Sequence, residues 1–463
     1  MVHRSKTAPL FINHQQTCDV LHRSYSTLTE VLRSQLPRIQ SLTLDLLYYS
    51  ASPTINENII NELLPLLCQP APMMEKLTLR FPQASDHTEP PDKIVLMTPR
   101  LRHLKLEGYG MSWSSECMDF RNLRSLEMSL TEKMRPSMAQ LLAILRQTSR
   151  LENLKVIYLN QKTGQHGLES LPLSRDVDSI NLGHLQQIDL SDDLAKCAIL
   201  LSHIIFSKNA HTITLCIQDH QSPPILPAQT LATKIDDGIM GSIVKLQLGS
   251  EIRCWKSTDT RQMPSHDAPF TIEISTFLTS VSMAGARNSF CRSLRLHHLL
   301  SLVVMGTTLE LDTWLMFGDL PCLEDVRVHS NYTNDISLLK VFHRGLANTP
   351  GVLPVRPAFA ALRRLTIAEW YLDEIETDSE LGTGSAMRLL ISCFELRKSN
   401  QLPLDSLRLE DCGVNGNDVD RLREIIKDVY WDGSGDIDNE DEGTDCGSYE
   451  TDEDMWSLHY RGN

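Results

Sequence analysis

A six-residue pattern, apolar-x-x-apolar-x-apolar, recurs along most of this chain of 463 residues. Its last two apolar positions are two residues apart, so in a β-strand they point to one face while the residue between them points to the other. About twelve copies are far more than unrelated strand-like runs would give. The clear copies are IQSLTL (39–44), MEKLTL (74–79), LRHLKL (101–106), LRSLEM (123–128), LENLKV (151–156), LQQIDL (185–190), LEDVRV (323–328), LRRLTI (362–367) and LDSLRL (404–409); weaker ones are AHTITL (210–215), IVKLQL (243–248) and CRSLRL (291–296). The pattern predicts a stack of short strands, each with one apolar face.

The segments between these copies have the apolar spacing of helices. Apolar residues at i, i+3, i+4 and i+7 mark one face of a helix, and Pro136 suits the first turn of the best example, residues 136–147. Asp192 and Asp193 precede another stripe and can cap its start. The stripes are Met138, Leu141, Leu142 and Leu145; Leu194, Cys197, Ala198 and Leu201; Met387, Leu390, Ile391 and Phe394; and Val419, Leu422, Ile425 and Ile426. Strands separated by return helices are expected to form a parallel sheet with a leucine-rich inner face and a polar outer face.

This alternation resembles the leucine-rich repeat, and the resemblance covers residues 37–431. The predicted fold class is α/β, an irregular leucine-rich-repeat solenoid with parallel strands on the concave face and helices on the convex face. Successive copies start 22 to 48 residues apart, whereas regular members of the family keep about 20 to 29. We therefore expect uneven curvature and inserted loops. Residues 1–36 are predicted to precede the repeats, and residues 432–463 to form a disordered acidic tail.

The composition is that of a folded protein, with 41% hydrophobic and 22% charged residues. The two most apolar stretches, 194–206 and 299–317, each contain charged residues, so neither is predicted to span a membrane. The N-terminus lacks the apolar core of a signal peptide, and the 11 cysteines are scattered without a C-x-x-C pair. These features predict reduced thiols and a cytoplasmic or nuclear location.

Acidic residues are concentrated near the C-terminus. The net charge is −15, and residues 432–454 contain eleven Asp and Glu and no Lys or Arg. A basic face of the kind that binds nucleic acid is therefore not expected.

Motifs for catalysis and cofactor binding are absent by inspection. The sequence contains no G-x-x-x-x-G-K-[ST], G-x-G-x-x-G, H-E-x-x-H or G-x-S-x-G motif. The cysteines on predicted apolar faces, and Cys412 at the strand exit, are interpreted as packing residues rather than nucleophiles. The histidines have no ligand partners at metal spacing. We therefore expect no catalytic, metal-binding or cofactor-binding residue, and a protein that is not an enzyme.

Four phrases resemble a large group of fungal F-box and leucine-rich-repeat proteins. They are RSKTAPL (4–10), LPRIQSLTL (36–44), LDTWLMFGDLPCLEDVRV (311–328) and LRLEDCGVNGNDVDRLREI (407–425). The resemblance implies a repeat region that holds the substrate of a ubiquitin ligase, while an N-terminal F-box docks on the ligase adaptor. The sequence starts at the phrase that follows the F-box in such proteins, so the F-box is expected to be missing here. Adaptor binding is expected only if an F-box exists upstream.

Outward strand positions are expected to bind an unknown protein partner, because a stack of parallel strands presents them as one continuous surface. Mixed charge with repeated arginine favours a protein over a lipid or a nucleic acid. An alternative function is a GTPase-activating protein of the Ran-activator type, a group that also joins leucine-rich repeats to an acidic tail. The candidate residues on the concave face are His103, Lys105, Ser125, Glu127, Asn153, Lys155, Arg327, Arg364, Thr366, Ser406 and Arg408.

Overall fold

The computed structural model describes most of the chain outside its longest connections and its C-terminus. The described residues are 8–15, 21–46, 62–81, 96–108, 113, 120–130, 134–158, 179–192, 194–205, 212–217, 229, 232, 242–249, 251–257, 271–276, 282–329, 336–343, 357–370, 372 and 385–434. They form a mixed α/β architecture in which 16 strands make one sheet. The predicted acidic tail lies outside the described residues, apart from its first three.

The strands follow the predicted copies closely. They are β1 (Leu10–Gln15), β2 (Ile39–Asp45), β3 (Lys76–Arg80), β4 (His103–Glu107), β5 (Ser125–Leu130), β6 (Asn153–Tyr158), β7 (Ile180–Asn181), β8 (Gln187–Asp192), β9 (Ile204–Ile205), β10 (Thr212–Ile217), β11 (Ser242–Leu248), β12 (Glu251–Ser257), β13 (Thr271–Thr276), β14 (Ser301–Met305), β15 (Asp325–His329), β16 (Arg364–Ala368), β17 (Ser406–Glu410) and β18 (Asp428–Trp431).

Helices occupy connections between strands, and four of them lie at the predicted apolar stripes. They are α1 (Leu21–Gln35), α2 (Met138–Gln147), α3 (Leu194–His203), α4 (Ser282–Ser293), α5 (Leu311–Gly318), α6 (Ser337–His343), α7 (Ala386–Ser399) and α8 (Gly416–Ile425), with further helical residues at 62–67 and a 3-10 turn at Leu36–Arg38. Ser137 caps α2: its Oγ accepts from Gln140 N, and Gln140 Oε1 accepts from Ser137 N. Pro136 therefore precedes the cap instead of opening the helix, as the sequence had suggested.

The strand order matches the chain order except at one insertion. The sheet runs β1-β2-β3-β4-β5-β6-β8-β10-β13-β12-β11-β14-β15-β16-β17-β18, and β7 pairs with β9 in a separate parallel sheet. Among the described strands of the large sheet, β12 alone runs against its neighbours. Three strands thus enter the sheet in reverse order between β10 and β14, which the repeat pattern did not predict.

The template's apolar positions stack in register to form the core. Leu77, Leu104, Leu126, Leu154 and Ile188 are successive partners across β3 to β8, and all are buried. The same holds for the inward residues of β14 to β17. One contiguous apolar cluster joins these strands to the apolar faces of the helices. The prediction of a leucine-rich inner face is confirmed.

A tight turn that the sequence pattern did not include precedes strands β3, β4, β5, β6, β8, β14 and β16. The first template residue donates its N–H to the carbonyl three positions earlier, as in Leu101 N to Thr98 O (3.1 Å) and Leu362 N to Phe359 O (3.0 Å). The acceptor residues of these turns are buried: Ala71, Thr98, Phe120, Thr148, Leu182, Leu296 and Phe359. The repeat unit is therefore longer by three residues at its start.

Several strands end in a left-handed residue one position after the exit. Gly108, Gly306, Glu369 and Asp411 have φ values of 79°, 56°, 56° and 51°. The first three donate their N–H to the next strand's carbonyl: Gly108 to Ser129, Gly306 to His329 and Glu369 to Glu410. At the end of the sheet, Asp411 N donates instead to the Asp432 carboxylate, at 2.6 Å. The backbone turn thus adds one more bond between neighbouring strands.

Four details differ from the sequence prediction. CRSLRL is not a strand: Cys291 lies in α4, and Leu296 belongs to the turn before β14, whose own copy is Leu299, Leu302 and Val304. β8 extends two residues beyond the predicted copy, to Asp192, and Asp193 lies outside the described residues. The sheet also begins at β1, inside the segment 1–36 that was expected to precede it. An edge copy, Ile426, Val429 and Trp431, was overlooked.

A buried arginine holds the turn before β16. Arg397 on α7 is 1% exposed, and its guanidinium donates to the carbonyls of Ala358 (3.2 Å), Phe359 (3.0 Å) and Leu362 (3.5 Å). The guanidinium carbon lies 5.9 Å from the centre of the Phe342 ring. Burial lowers the pKa of Arg397 to about 10. Its five donors in a planar fork suit a group of buried carbonyls that lie close together.

Candidate partner-binding face

The polar face of the sheet carries three rows of side chains, set by the strand register. The entry row includes His103, Ser125, Asn153, Asp325, Arg364 and Ser406; the middle row includes Lys105, Glu127, Lys155, Asp189, Val303, Arg327, Thr366, Arg408 and Tyr430; the exit row includes Asp45, Arg80, Glu107, Met305, His329, Ala368 and Glu410. All eleven candidate residues therefore lie on one face, five in the entry row and six in the middle row.

Charges in the N-terminal half of this face are paired across neighbouring strands. Lys105 Nζ lies 2.9 Å from Glu127 Oε2, and Lys155 Nζ lies 2.7 Å from Asp189 Oδ2. Opposite charges on adjacent strands stabilise the sheet by fractions of a kcal/mol each, roughly 0.2–1. The candidate residues Lys105, Glu127 and Lys155 thus form ion pairs between strands of the sheet. A partner would have to break these ion pairs in order to bind the same side chains.

The exit row of the same half is neutralised in the same way. Arg80 bonds Asp45 at 3.0 Å and Glu107 at 2.9 Å, one strand away on each side. The hydrogen bond that Arg80 donates to Asp45 is the largest influence on the pKa of Arg80 and raises it. The charge of Arg80 is therefore paired with carboxylates of the same sheet.

Two entry-row candidates differ in access. Ser125 is only 9% exposed, so little of its side chain is open to a partner. His103, on the adjacent strand, is exposed. Partial desolvation is the largest cause that lowers the pKa of His103, and the positive charge of Lys76 is the second. Of these two, His103 alone is accessible to a partner.

The C-terminal half of the face contains an arginine–glutamate cluster, which we define as Arg327, His329, Arg408 and Glu410. The Glu410 carboxylate lies 2.9 Å from the terminal nitrogen of Arg327 and 3.4 Å from Arg408 Nε. Arg327 spans an intervening strand to reach it, passing the small Ala368 between His329 and Glu410 in the exit row. One carboxylate thus pairs with two arginines. Because each guanidinium has five N–H donors, several of these donors remain available at the surface.

His329 accepts a hydrogen bond within this cluster. Arg327 Nε donates to His329 Nε2 at 2.8 Å, which requires that nitrogen to be unprotonated. Desolvation, followed by the nearby Arg327 charge, lowers the pKa of His329. Protonation would remove the acceptor and place a second cation beside the arginine.

Exposed apolar and aromatic groups flank the arginine–glutamate cluster. Tyr430 is 47% exposed, and its ring lies 4.9 Å below the Arg408 guanidinium carbon. Met305 is 39% exposed at the other side, next to the half-buried Val303 on the same strand. Arg, Tyr and Met are enriched in the centres of protein–protein interfaces. The C-terminal half therefore has the composition of a binding surface.

Sequence reasoning missed four members of this surface. Tyr430 follows from the overlooked edge copy, because the residue between Val429 and Trp431 must face outward. Met305, His329 and Glu410 each lie one residue beyond the last apolar position, where a strand of one more residue turns the side chain outward. A template one residue longer finds His329 and Glu410, and also Met305 once the copy that starts at Leu299 is recognised, whereas Tyr430 needs only the overlooked edge copy.

The buried thiols do not have the setting of nucleophiles. Burial raises the pKa of Cys291 and of Cys393 to about 12 and that of Cys412 to about 11. Cys412 Sγ donates to Ile367 O at 3.3 Å. At neutral pH these groups are thiols, and the thiolate is the reactive form.

Other classes of site are not evident in the part of the chain that the structure describes. It has no cluster of three or more His, Cys, Asp or Glu side chains that could hold a metal ion. None of its helices has the length and apolar character needed to cross a bilayer. Searches for similar proteins found no matching family model and no matching curated protein.

Replacing His329 with glutamine is expected to flatten the loss of stability in mild acid. The unfolded histidine titrates near its ordinary value of about 6.5, and the folded pKa is lower, so below that pH the unfolded state binds more protons. Stability therefore falls as the pH decreases. Urea unfolding at about pH 7.5 and about pH 5.5 should show a smaller loss for His329→Gln than for the wild type. An unchanged loss would contradict the assignment.

Proposed function

We propose that this chain is a leucine-rich-repeat protein whose polar sheet face binds a protein partner, without catalysis. It resembles the substrate-recognition part of an F-box-type ubiquitin-ligase receptor. The arginine–glutamate cluster with Tyr430 and Met305 is the observation that carries the proposal. In this interpretation the in-register parallel strands form the concave face of an irregular solenoid, and the acidic C-terminal residues follow it.

A protein partner fits the charge pattern better than a nucleic acid. Arg327, Arg364 and Arg408 alternate with the carboxylates of Asp325 and Glu410 in neighbouring positions of the three rows. A phosphate backbone needs a continuous basic surface, because each contact neutralises one negative charge. The face combines apolar, aromatic and arginine side chains with carboxylates around them. Such a composition suits a protein partner whose own surface carries both charges and apolar groups. Such a protein would act in the cytoplasm or the nucleus.

The double substitution Arg327→Glu with Arg408→Glu is expected to abolish partner capture. Both side chains are about half exposed on the polar face. The full chain would be used as bait in a fungal lysate, and captured proteins would then be titrated with purified bait. We expect affinity for a direct partner to fall by about tenfold or more, the range of a lost interface anchor.

A matched charge reversal on α8 provides the control. Arg421 and Arg423 are also about half exposed, but they lie on a helix rather than on the sheet face. Arg421→Glu with Arg423→Glu should leave affinity within about twofold. A partner that tolerates the cluster variant and is lost with the α8 variant would contradict the proposal. Co-purification with the cullin adaptor would separately place a docking segment in this chain.

The GTPase-activator alternative has its own assay. Exposed arginines on the face are the type of residue that stabilises the transition state of GTP hydrolysis when supplied in trans. Acceleration of hydrolysis by a candidate small GTPase, lost on Arg408→Lys or Arg327→Lys, would favour this alternative over a passive scaffold.

A further inference from the structure

Thr366 lies among three arginines on the polar face of the sheet. Arg327 on β15 and Arg408 on β17 are its partners in the middle row, and Arg364 precedes it by two residues on the same face of β16. Neighbouring strands are about 4.8 Å apart and same-face residues of one strand about 7 Å apart, so all three arginine Cα atoms lie within roughly 7 Å of the Thr366 Cα. We define these four residues as the threonine patch.

The carboxylates next to the threonine patch do not neutralise it. Glu410 pairs with both Arg327 and Arg408, at 2.9 Å and 3.4 Å. Desolvation raises the pKa of Asp325 and the charge of Arg364 opposes the rise, but no ion pair within 4 Å joins Arg364 to Asp325 or to another described residue. The other adjacent positions of the face are a neutral histidine, a serine and an alanine. Three arginines and two carboxylates therefore leave one positive charge.

Hydrogen-bond donors of the threonine patch are open at the surface. Thr366 is half-buried, and its hydroxyl has no hydrogen bond to a described residue. Arg327 uses Nε and one terminal nitrogen within the arginine–glutamate cluster, so its other terminal nitrogen is not engaged there. Arg408 lies against the Tyr430 ring. These two guanidinium groups are thus positioned before a partner arrives, which lowers the entropic cost of binding.

We infer that the threonine patch binds one carboxylate, the side chain of an aspartate or glutamate of the protein partner. The inference rests on the proposed function and adds the chemistry of the residue that the partner presents. A carboxylate accepts hydrogen bonds from guanidinium groups in a planar, two-point geometry, and the Thr366 hydroxyl supplies a further donor.

The charge of the threonine patch favours a carboxylate over a phosphorylated side chain. A carboxylate carries one negative charge, which equals the excess positive charge of the patch. A phosphorylated residue carries about −1.5 to −2 at neutral pH. It would exceed the excess charge and would lie beside the carboxylates of Asp325 and Glu410. The partner residue is therefore acidic and unmodified.

Selection from random linear peptides displayed on phage tests the inference, with the full chain as bait. We expect Asp or Glu to be enriched at one position of the selected peptides. In a synthetic copy of a selected peptide, replacing that residue with glutamine should weaken binding by about tenfold, because a charge-assisted hydrogen bond is lost. Phosphoserine at the same position should bind no more tightly than glutamate.

Three variants of the chain separate the threonine patch from the rest of the face. Thr366→Asp supplies a carboxylate of the chain's own, so it should weaken binding of the acidic peptide by about tenfold and leave the glutamine copy unchanged. Arg364→Gln should reduce the preference for the acidic peptide over the glutamine copy. The matched control is Thr43→Asp, because Thr43 is also half-buried in the middle row but lies on β2. It should leave binding within about twofold.

The outcomes distinguish this inference from the proposed function. Selections without an acidic preference, including selections that yield no binder, would overturn the inference, as would tighter binding of the phosphoserine peptide. A natural partner that binds Thr366→Asp like the wild type, but is lost with the double substitution Arg327→Glu and Arg408→Glu, would overturn the inference and leave the proposed function standing. A partner that tolerates both variants would overturn the proposed function as well.

Discussion

Replacing Leu407 with aspartate is expected to unfold the C-terminal strands under conditions in which the wild type is folded. Leu407 is 0% exposed between Leu365 and Val429 in adjacent strands. Removing a buried leucine forfeits about 1.5–3 kcal/mol, and a carboxylate in its place has no cation beside it in the stacked apolar residues. We expect a total loss of upwards of about 4 kcal/mol.

The same substitution at an outward position is the matched control for Leu407→Asp. Thr366 lies on the neighbouring strand between Arg327 and Arg408, so Thr366→Asp introduces a carboxylate beside two cations. Its effect should stay within about 0.5 kcal/mol. Urea unfolding combined with hydrogen exchange of β16 to β18 would measure both. Equal losses for the two variants would show that the inward and outward assignment of these strands is wrong.

Replacing Arg397 with methionine is the second change with a large expected effect. Methionine keeps much of the apolar stem, but it removes the guanidinium donors to the carbonyls of Ala358, Phe359 and Leu362. Phe359 O keeps its bond from Leu362 N, so the cost falls mainly on the other two carbonyls. An unsatisfied buried acceptor costs about 1–3 kcal/mol. Relief from burying the charge offsets part of this, so we expect a net loss of about 3 kcal/mol.

The control for Arg397→Met lies on the same helix. Arg388 is exposed on α7, and Arg388→Met should change the free energy of unfolding by about 0.5 kcal/mol or less. Arg397→Lys should fall between wild type and methionine, because an ammonium keeps the charge but cannot reproduce the planar fork. If Arg397→Met is as stable as Arg388→Met, the guanidinium is not what holds the turn before β16.

Most strands of the sheet were predictable because each depends on the spacing of apolar residues within a short segment of sequence. The spacing of Leu104 and Leu106, or of Leu365 and Ile367, places two apolar side chains on one face of a strand whatever the rest of the chain does. Helix α7 was equally predictable from Met387, Leu390, Ile391 and Phe394, which are buried in the structure. CRSLRL misled the prediction because its apolar spacing fits both a strand and the end of a helix followed by a turn.

The candidate site was predictable only in part. The outward direction of Arg327 and Arg408 follows from the alternation of the strand. The difference between them and Lys105 or Lys155 does not, because it depends on which carboxylate lies on the adjacent strand. Strand neighbours are set by the order of the sheet, and an insertion such as β11 to β13 changes that order without altering any local pattern.

The sequence by itself determined most of the strands of the large sheet, their apolar and polar faces, four of the described helices and the thiols that pack in the core. These depend on side-chain periodicity over a few residues, which the chain carries locally. Only the tertiary structure decided that Glu410 serves two arginines, that Ser125 is buried and that Arg397 holds a turn. Those contacts join residues brought together by the register of separate strands and helices, so their distances arise only once the sheet has formed.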